Sequence, residues 1–412
     1  MRTIDAFRSD DSEGTHPSHK SIRGRKVRIR CQDLTSLCVV ALIWLGGAVA
    51  GFCSPTASDS RYAATDLGAL AIFPQSDWSS PTAVNYAGQV AVNTHNGGQA
   101  YATVACLWDK GQTQRITGFP PLAGSSLSDA TFPVDTAGPH PNTFPTGPWS
   151  EASGLNNHGQ VVGSYYTSVS PWSRAFIFEK GHMTLLAAPT GADAQANSIN
   201  DAGQIVGRVD LHDGSRHPYL WTHQKPSELP TLGGKYGEAH AINAAGVIVG
   251  ESSLADGSLH AVMWERGQVR DINPLGFKGS EATGINDRGQ IVGNMTLPDG
   301  SHHACIWMDG KASDLGTLGG KNSEAKGINS MGQVVGDADI GIKVEGYNTV
   351  THAFIWDTKK GLRDLNILLS IPALSATAKY DLWGASGINN KGQIVASHLF
   401  GHALLLTPVL KN

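Results

Sequence analysis

A chain of 412 residues with a formal net charge of −4 and only 16% charged residues lacks the basic stripe that neutralises phosphates, which excludes non-specific nucleic-acid binding. The scarcity of charge also excludes a salt-bridged helical bundle or a solvating disordered tail. With 49 glycines, the composition suits many short strands joined by tight turns.

The N-terminus differs from everything after it. Residues 1–33 are basic, with Arg2, Arg8, Lys20, Arg23, Arg25, Lys26, Arg28 and Arg30, whereas Leu34 to Ser58 carries no charge. The apolar part, Leu37 to Phe52, is 16 residues long, short of the ~20 that a spanning helix needs. A basic flank, an apolar stretch and "AVA" at 48–50 form a signal-peptide pattern with a cut after Ala50, or an uncleaved anchor. Phe52, next to Cys53, stands where a lipoprotein acceptor requires a small residue. Residues 1–53 are therefore expected to export the protein (secreted, periplasmic or surface-attached), and the membrane is touched only through this segment.

From residue 62 to 408 the chain repeats itself. Asn85, Asn156, Asn200, Asn243, Asn286, Asn329 and Asn389 are spaced by 71, 44, 43, 43, 43 and 60 residues. That is one period of about 43, interrupted by insertions at 119–149 and 367–384. Each unit runs like residues 281–316, "EATGINDRGQIVGNMTLPDGSHHACIWMDGKASDLG". Asn-x-x-Gly, Asp-Gly and a Gly after the Trp run are turn signals, and the β-branched and aromatic runs between them read as strands. A four-stranded antiparallel unit of this length predicts a β-propeller blade. The fold expected is all-β, a seven-bladed β-propeller. Small residues before the Asn (Ala152, Ala196, Ala239, Ala282, Ala325, Ala385) mark the inner strand. The first strand, "YAATDLG" at 62–68, is of the outer type and the last, "HALLLTP" at 402–408, of the third type. Their pairing closes the ring and removes two sheet edges.

"DLGTLGGKNSEAKGINSMGQVVGDADI" (314–340) and "THAFIWDTKKGLRDLN" (351–366) resemble the HAF-repeat family of predicted extracellular repeat proteins. The resemblance spans roughly residues 62–408, with departures at "VACLW" (104–108), "RAFIF" (174–178), "HPYLW" (217–221) and "HALLL" (402–406). It implies an exported bacterial-type repeat protein and carries over no activity and no catalytic residue.

The repeated polar residues divide into two groups. Asn156, Asn200, Asn243, Asn286, Asn329 and Asn389, with Asn85, read as structural turns, since acids follow in only two of seven copies and cannot form a shared calcium loop. His217, His260, His303, His352 and His402, at the start of the third strand, read as hydrogen bonds to a neighbouring loop, and Asp66, Asp271, Asp314 and Asp364 in the outer strands as structural. Glu151, Gln195, Glu238, Glu281 and Glu324 lie five before the Asn, at the leading end of inner strands. They are candidates for a ligand face at one mouth of the channel. The insertions add aromatics to that face, Trp149, Tyr380 and Trp383, suited to stacking on sugar rings or a partner. Cys106 and Cys305 fall in equivalent third-strand slots and read as small core hydrophobes.

No GxSxG, HExxH, GxGxxG or phosphate-loop motif occurs. The leading expectation is an exported, monomeric, non-catalytic binding or scaffold propeller for a glycan, another extracellular polymer or a partner protein. No metal and no cofactor is expected. The alternatives are a propeller hydrolase or lyase using carboxylates at the channel mouth, and a purely structural envelope protein.

Overall fold

The computed structural model describes residues 62–67, 78–95, 103–116, 149–167, 170–274, 277–342, 350–370, 381–399 and 401–409. The chain divides into Met1–Ser54, which with the expected targeting segment lies outside the described residues, and Pro55–Asn412. The second unit is a seven-bladed β-propeller of four-stranded antiparallel sheets. Its inner strands are Trp78–Val84, Trp149–Leu155, Asp193–Ile199, Gly237–Ile242, Gly279–Ile285, Ser323–Ile328 and Leu382–Ile388, for blades 1 to 7. They touch one another round the full circle. Blade 5 shows the pattern: Gly279–Ile285, Ile291–Thr296, His302–Met308 and Lys311–Gly316 lie side by side in chain order.

The ring closes as the end strands require. Tyr62–Asp66 runs antiparallel to the third strand of blade 7, with Tyr62 opposite Pro408 and Asp66 opposite Leu404. A short helix, Leu365–Leu368, capped by the Asp364 carboxylate, leads into Leu369–Ser370. That short strand pairs in parallel with Tyr62–Ala63 and gives blade 7 a fifth strand that the repeat pattern did not contain.

The core lies between blades. Each of the seven interfaces has its own apolar cluster, drawn from both neighbours. The "HAF" run supplies much of it: Ala304, Ala353, Phe354 and Ala403 are fully buried. Burying an aromatic such as Phe354 contributes about 2–3 kcal/mol. Trp221, Trp264 and Trp307 reach further, each donating its ring N–H to a backbone carbonyl (Ala187, Pro230 and Ile272) at the start of the crossover from the preceding blade. Cys106 and Cys305 are buried free thiols, and burial pushes the Cys106 thiol up to about 12.

Every inner strand carries a β-bulge two residues past the Glu slot, between Ala282 and Gly284 in blade 5. The bulge presses the inner strand onto the second one. A Cβ on Gly293 would lie 1.9 Å from the Glu281 carbonyl oxygen, and Gly163, Gly207, Gly250 and Gly336 meet the same obstacle at 1.8–2.0 Å. This accounts for the Gly of "QIVG".

Candidate functional site

At one end of the channel the repeated asparagines form a closed ring. The side-chain amide of Asn85 donates to the Asn156 carbonyl, and the relay continues through Asn200, Asn243, Asn286, Asn329 and Asn389 back to Asn85, at 2.8–3.2 Å. In six blades the same amide also donates to the Gln four residues on, as in Asn286 Nδ2 to Gln290 Oε1 at 2.7 Å. In blade 4 Val247 stands there, and its N–H still donates to Asn243 Oδ1. With all its polar atoms engaged, this asparagine is mortar between blades.

The residue after it does more than the sequence suggested. Asn157, Asp201, Asp287 and Asn390 each accept the backbone N–H of the corresponding residue one blade earlier. A cavity of about 310 Å³ sits in this mouth, with an aliphatic collar below that includes Leu155, Ile199, Ile242 and Ile285.

The crossover end is where the glutamates lie. Three register slots recur at the blade interfaces: the bulged residue and the second-strand residue of one blade, and the Glu-slot residue of the next. At the interface of blades 1 and 2 they are Thr82, Asn93 and Glu151. Asn93 holds both the N–H and the carbonyl of Ala152 there. At blades 5 and 6 they are Thr283, Asn294 and Glu324, where Thr283 and Asn294 satisfy the two backbone groups of Ala325. Between blades 2 and 3 the same register slots hold Ser153, Ser164 and Gln195.

The interface of blades 3 and 4 is ionic. Glu238 is buried against Arg208 (3.0 Å) and Arg216 (3.1 Å) and accepts from Asn197 (3.0 Å). Burial opposes its charge, but His240, Arg208 and Asn197 hold its carboxyl below the usual range. Between blades 6 and 7, Lys326 pairs with Asp337. Burial still lifts the Asp337 carboxyl above its ordinary value.

Between blades 4 and 5 the three are His240, Glu251 and Glu281. His240 Nε2 stands 3.4 Å from Glu281 Oε1, and Nδ1 is 4.0 Å from Glu238. Of the five predicted positions, the structure thus links Glu238 and Glu281, through a histidine that the repeat pattern did not single out. Among the described residues no hydrogen bond or ion pair joins Glu151, Gln195 or Glu324 to one another. Burial raises the Glu151 carboxyl.

The third-strand histidines bond within their own blade, to the outer strand, instead of to a neighbouring loop. His217 meets Glu228 (2.6 Å), His260 Asp271 (2.7 Å), His303 Asp314 (2.8 Å), His352 Asp364 (2.7 Å) and His402 Asp66 (3.0 Å). The last pair straddles the ring closure. Asp271, Asp314 and Asp364 spend their other oxygen on the N–H two residues on, fixing the start of the crossover. The constant 11-residue spacing of His217, His260 and His303 from their acids was the available signal.

Sequence reasoning also missed a serine before the Glu slot. Ser79, Ser150, Ser280 and Ser323 each accept the N–H of the buried third-strand Ala in the preceding blade.

The aromatics gather on three consecutive blades. Trp78 (58% exposed) opens the inner strand of blade 1, Trp149 that of blade 2, and Trp383 (48% exposed) lies in that of blade 7. Trp149 and Trp383 thus belong to strands, on the crossover side, and not to the loops of the insertions. Trp149 stacks on Tyr166, ring centroids 3.5 Å apart and planes 2° from parallel. Exposed Leu399 follows the second strand of blade 7 on the same side. Tyr380 and most of both insertions lie outside the described residues.

A family profile described as protein of unknown function (DUF3466) matches residues 234–402, about two fifths of the chain. No curated protein matches. Among solved structures, the chain is similar to TolB from Acinetobacter baumannii (TM-score 0.42, 10% identity, covering 79% of this chain and 64% of that one). It is also similar to the β-propeller domain of the Trilobed protease from Pyrococcus furiosus (0.47, 9%, 78% and 89%) and to YCF48 bound to D1 peptide (0.45, 10%, 85% and 96%). The match therefore spans just under two thirds of the TolB chain.

Proposed function

We propose that this is an exported, non-catalytic binding propeller of the HAF-repeat type, whose ligand face is the crossover side of blades 7, 1 and 2. The observation that carries the reading is the set of tryptophans Trp383, Trp78 and Trp149 at the inner-strand starts of three successive blades. Two of them are about half exposed, where a soluble protein has no folding reason to place an indole. Elsewhere the repeated polar groups are consumed in holding blades together, so little of the repeat is left to recognise anything. Flat aromatic faces stack on pyranose rings or anchor a partner's side chains. The ligand is accordingly a glycan, another extracellular polymer or a partner protein. Both insertions enter next to these tryptophans, which supports the same face. A glycan and polysaccharide array with the full chain tests this. Binding weakened in Trp149→Ala and Trp383→Ala, at unchanged Tm, is expected, and binding indifferent to both counts against it.

One observation favours a second reading, cleavage of a bound polymer. Glu151 is a partly buried carboxyl with a raised pKa on the same side of blade 2, as a general acid needs. Turnover of an array hit, lost in Glu151→Gln, would establish it in place of pure binding.

A further inference from the structure

We propose that the interface of blades 4 and 5 is a binding site for a divalent first-row cation, Zn²⁺ foremost, with His240, Glu251 and Glu281 as ligands. One ligand atom from each of the three lies within 4.8 Å of the others. Donors about 2.0–2.1 Å from a tetrahedral zinc stand about 3.4 Å from one another. His240 Nε2 and Glu281 Oε1 are 3.4 Å apart. Although Nε2 is buried and that close to a carboxylate, it makes no hydrogen bond. A buried ring nitrogen that stands beside a carboxylate and makes no hydrogen bond suits a shared cation.

The departure from the repeat points the same way. The bulged slot holds Asn197, Thr283 or Ser386 in other blades, and each of these bonds a carbonyl of the next inner strand. Blade 4 has a histidine there, and the bulge re-aims it: Glu238 pairs in register with Glu251 and Ala239 with Gly250, while His240 is skipped. Where other interfaces bury charge they balance it, Arg208 with Glu238 and Lys326 with Asp337. This one sets two carboxylates together with no Lys or Arg paired to either among the described residues. The nearby Arg208 and Arg216 are committed to Asp210 and Glu238.

The surroundings suit a metal centre. Tyr236 accepts from Arg216 at 2.6 Å, which leaves its hydroxyl proton for Glu251. Such outer partners orient ligating carboxylates. One imidazole with two carboxylates favours Zn²⁺ and its neighbours over Ca²⁺ or Mg²⁺. Three protein ligands would leave a fourth position for water, and the Glu281 side chain is 37% exposed.

The test is calorimetric titration of the full chain, purified without a histidine tag and stripped of metal, with ZnCl₂ alone. One Zn²⁺ per chain is expected. His240→Ala and Glu281→Gln should each weaken it roughly tenfold or more, while His217→Ala, in a His–acid pair of blade 3, leaves it unchanged. Absence of binding in the wild type, or binding retained in both ligand variants, overturns the proposal. Should the variants lose their thermal transition, anomalous diffraction at the zinc edge from wild-type crystals decides. A peak between the three side chains supports the site, and a peak elsewhere or none overturns it.

Discussion

Gly289 and Gly293 stand four residues apart and are glycine for different reasons. Gly289 holds φ near +75° with nothing within 4 Å of an added Cβ, so alanine there pays only backbone strain, about 1–2 kcal/mol. At Gly293 the Cβ would overlap the Glu281 carbonyl, and the two strands must part. Gly293→Ala is expected to cost about 1–3 kcal/mol by overpacking alone, and more than Gly289→Ala in paired urea denaturation. The reverse order would contradict the bulge argument. Three aspartates give a pH signature at the same scale. Asp213, Asp256 and Asp299 accept from the hydroxyl and N–H of the serine two residues on, which holds their carboxyls below the ordinary aspartate range. A carboxyl with its folded pKa below its unfolded value stabilises the fold above the unfolded value, and that contribution is lost as pH falls through the folded pKa. Tm is therefore expected to fall as pH drops below about 4. The triple Asp→Asn variant should flatten that limb, and an unchanged acid limb would contradict the assignment.

At the scale of elements, the strand order, the inner position of the small-residue strand and the closure by Tyr62–Asp66 were legible, because period, turn chemistry and strand type all repeat. The fifth strand of blade 7 was not, since Leu369–Ser370 lies in an insertion that has no sibling for comparison. The histidine partners were half legible. Their constant spacing from an acid was visible, but a hairpin had to be assumed before it meant contact. His240 was invisible for a physical reason: a bulge places a residue on a face that strict alternation would not give it, so a slot two past the Glu read as background. Trp149 and Trp383 were read as loop residues because the insertions blur the strand starts. The closure itself is open to test. A chain lacking Tyr62–Asp66 leaves Leu404–Pro408 as an open edge and His402 without its carboxylate. It should melt lower and associate through that edge, as followed by Tm and size-exclusion chromatography. A shortened chain that stays monomeric with the parent Tm would show the ring needs no clasp.

For the whole molecule, the two ends of the channel have different work. One end is a closed circuit of asparagine hydrogen bonds with an aliphatic collar. The other carries the crossovers, the exposed tryptophans and the polar interface slots where the repeat is broken. Duplicated residues hold the ring, and on the proposed function the exceptions meet the ligand. One comparison tests this division most directly: affinity for an array-identified ligand, per folded molecule, in Asn286→Ala beside Trp78→Ala/Trp383→Ala. Asn286→Ala strips the Asn329 carbonyl and the Gln290 N–H of their partner and is expected to lose about 1–3 kcal/mol of stability while keeping the wild-type affinity. The double tryptophan variant should keep its Tm and bind roughly tenfold or more weakly, since a buried aromatic anchor is worth about 2 kcal/mol or more. Undiminished binding by the tryptophan variant, or a loss of affinity confined to Asn286→Ala, would place the ligand at the asparagine end and contradict the account.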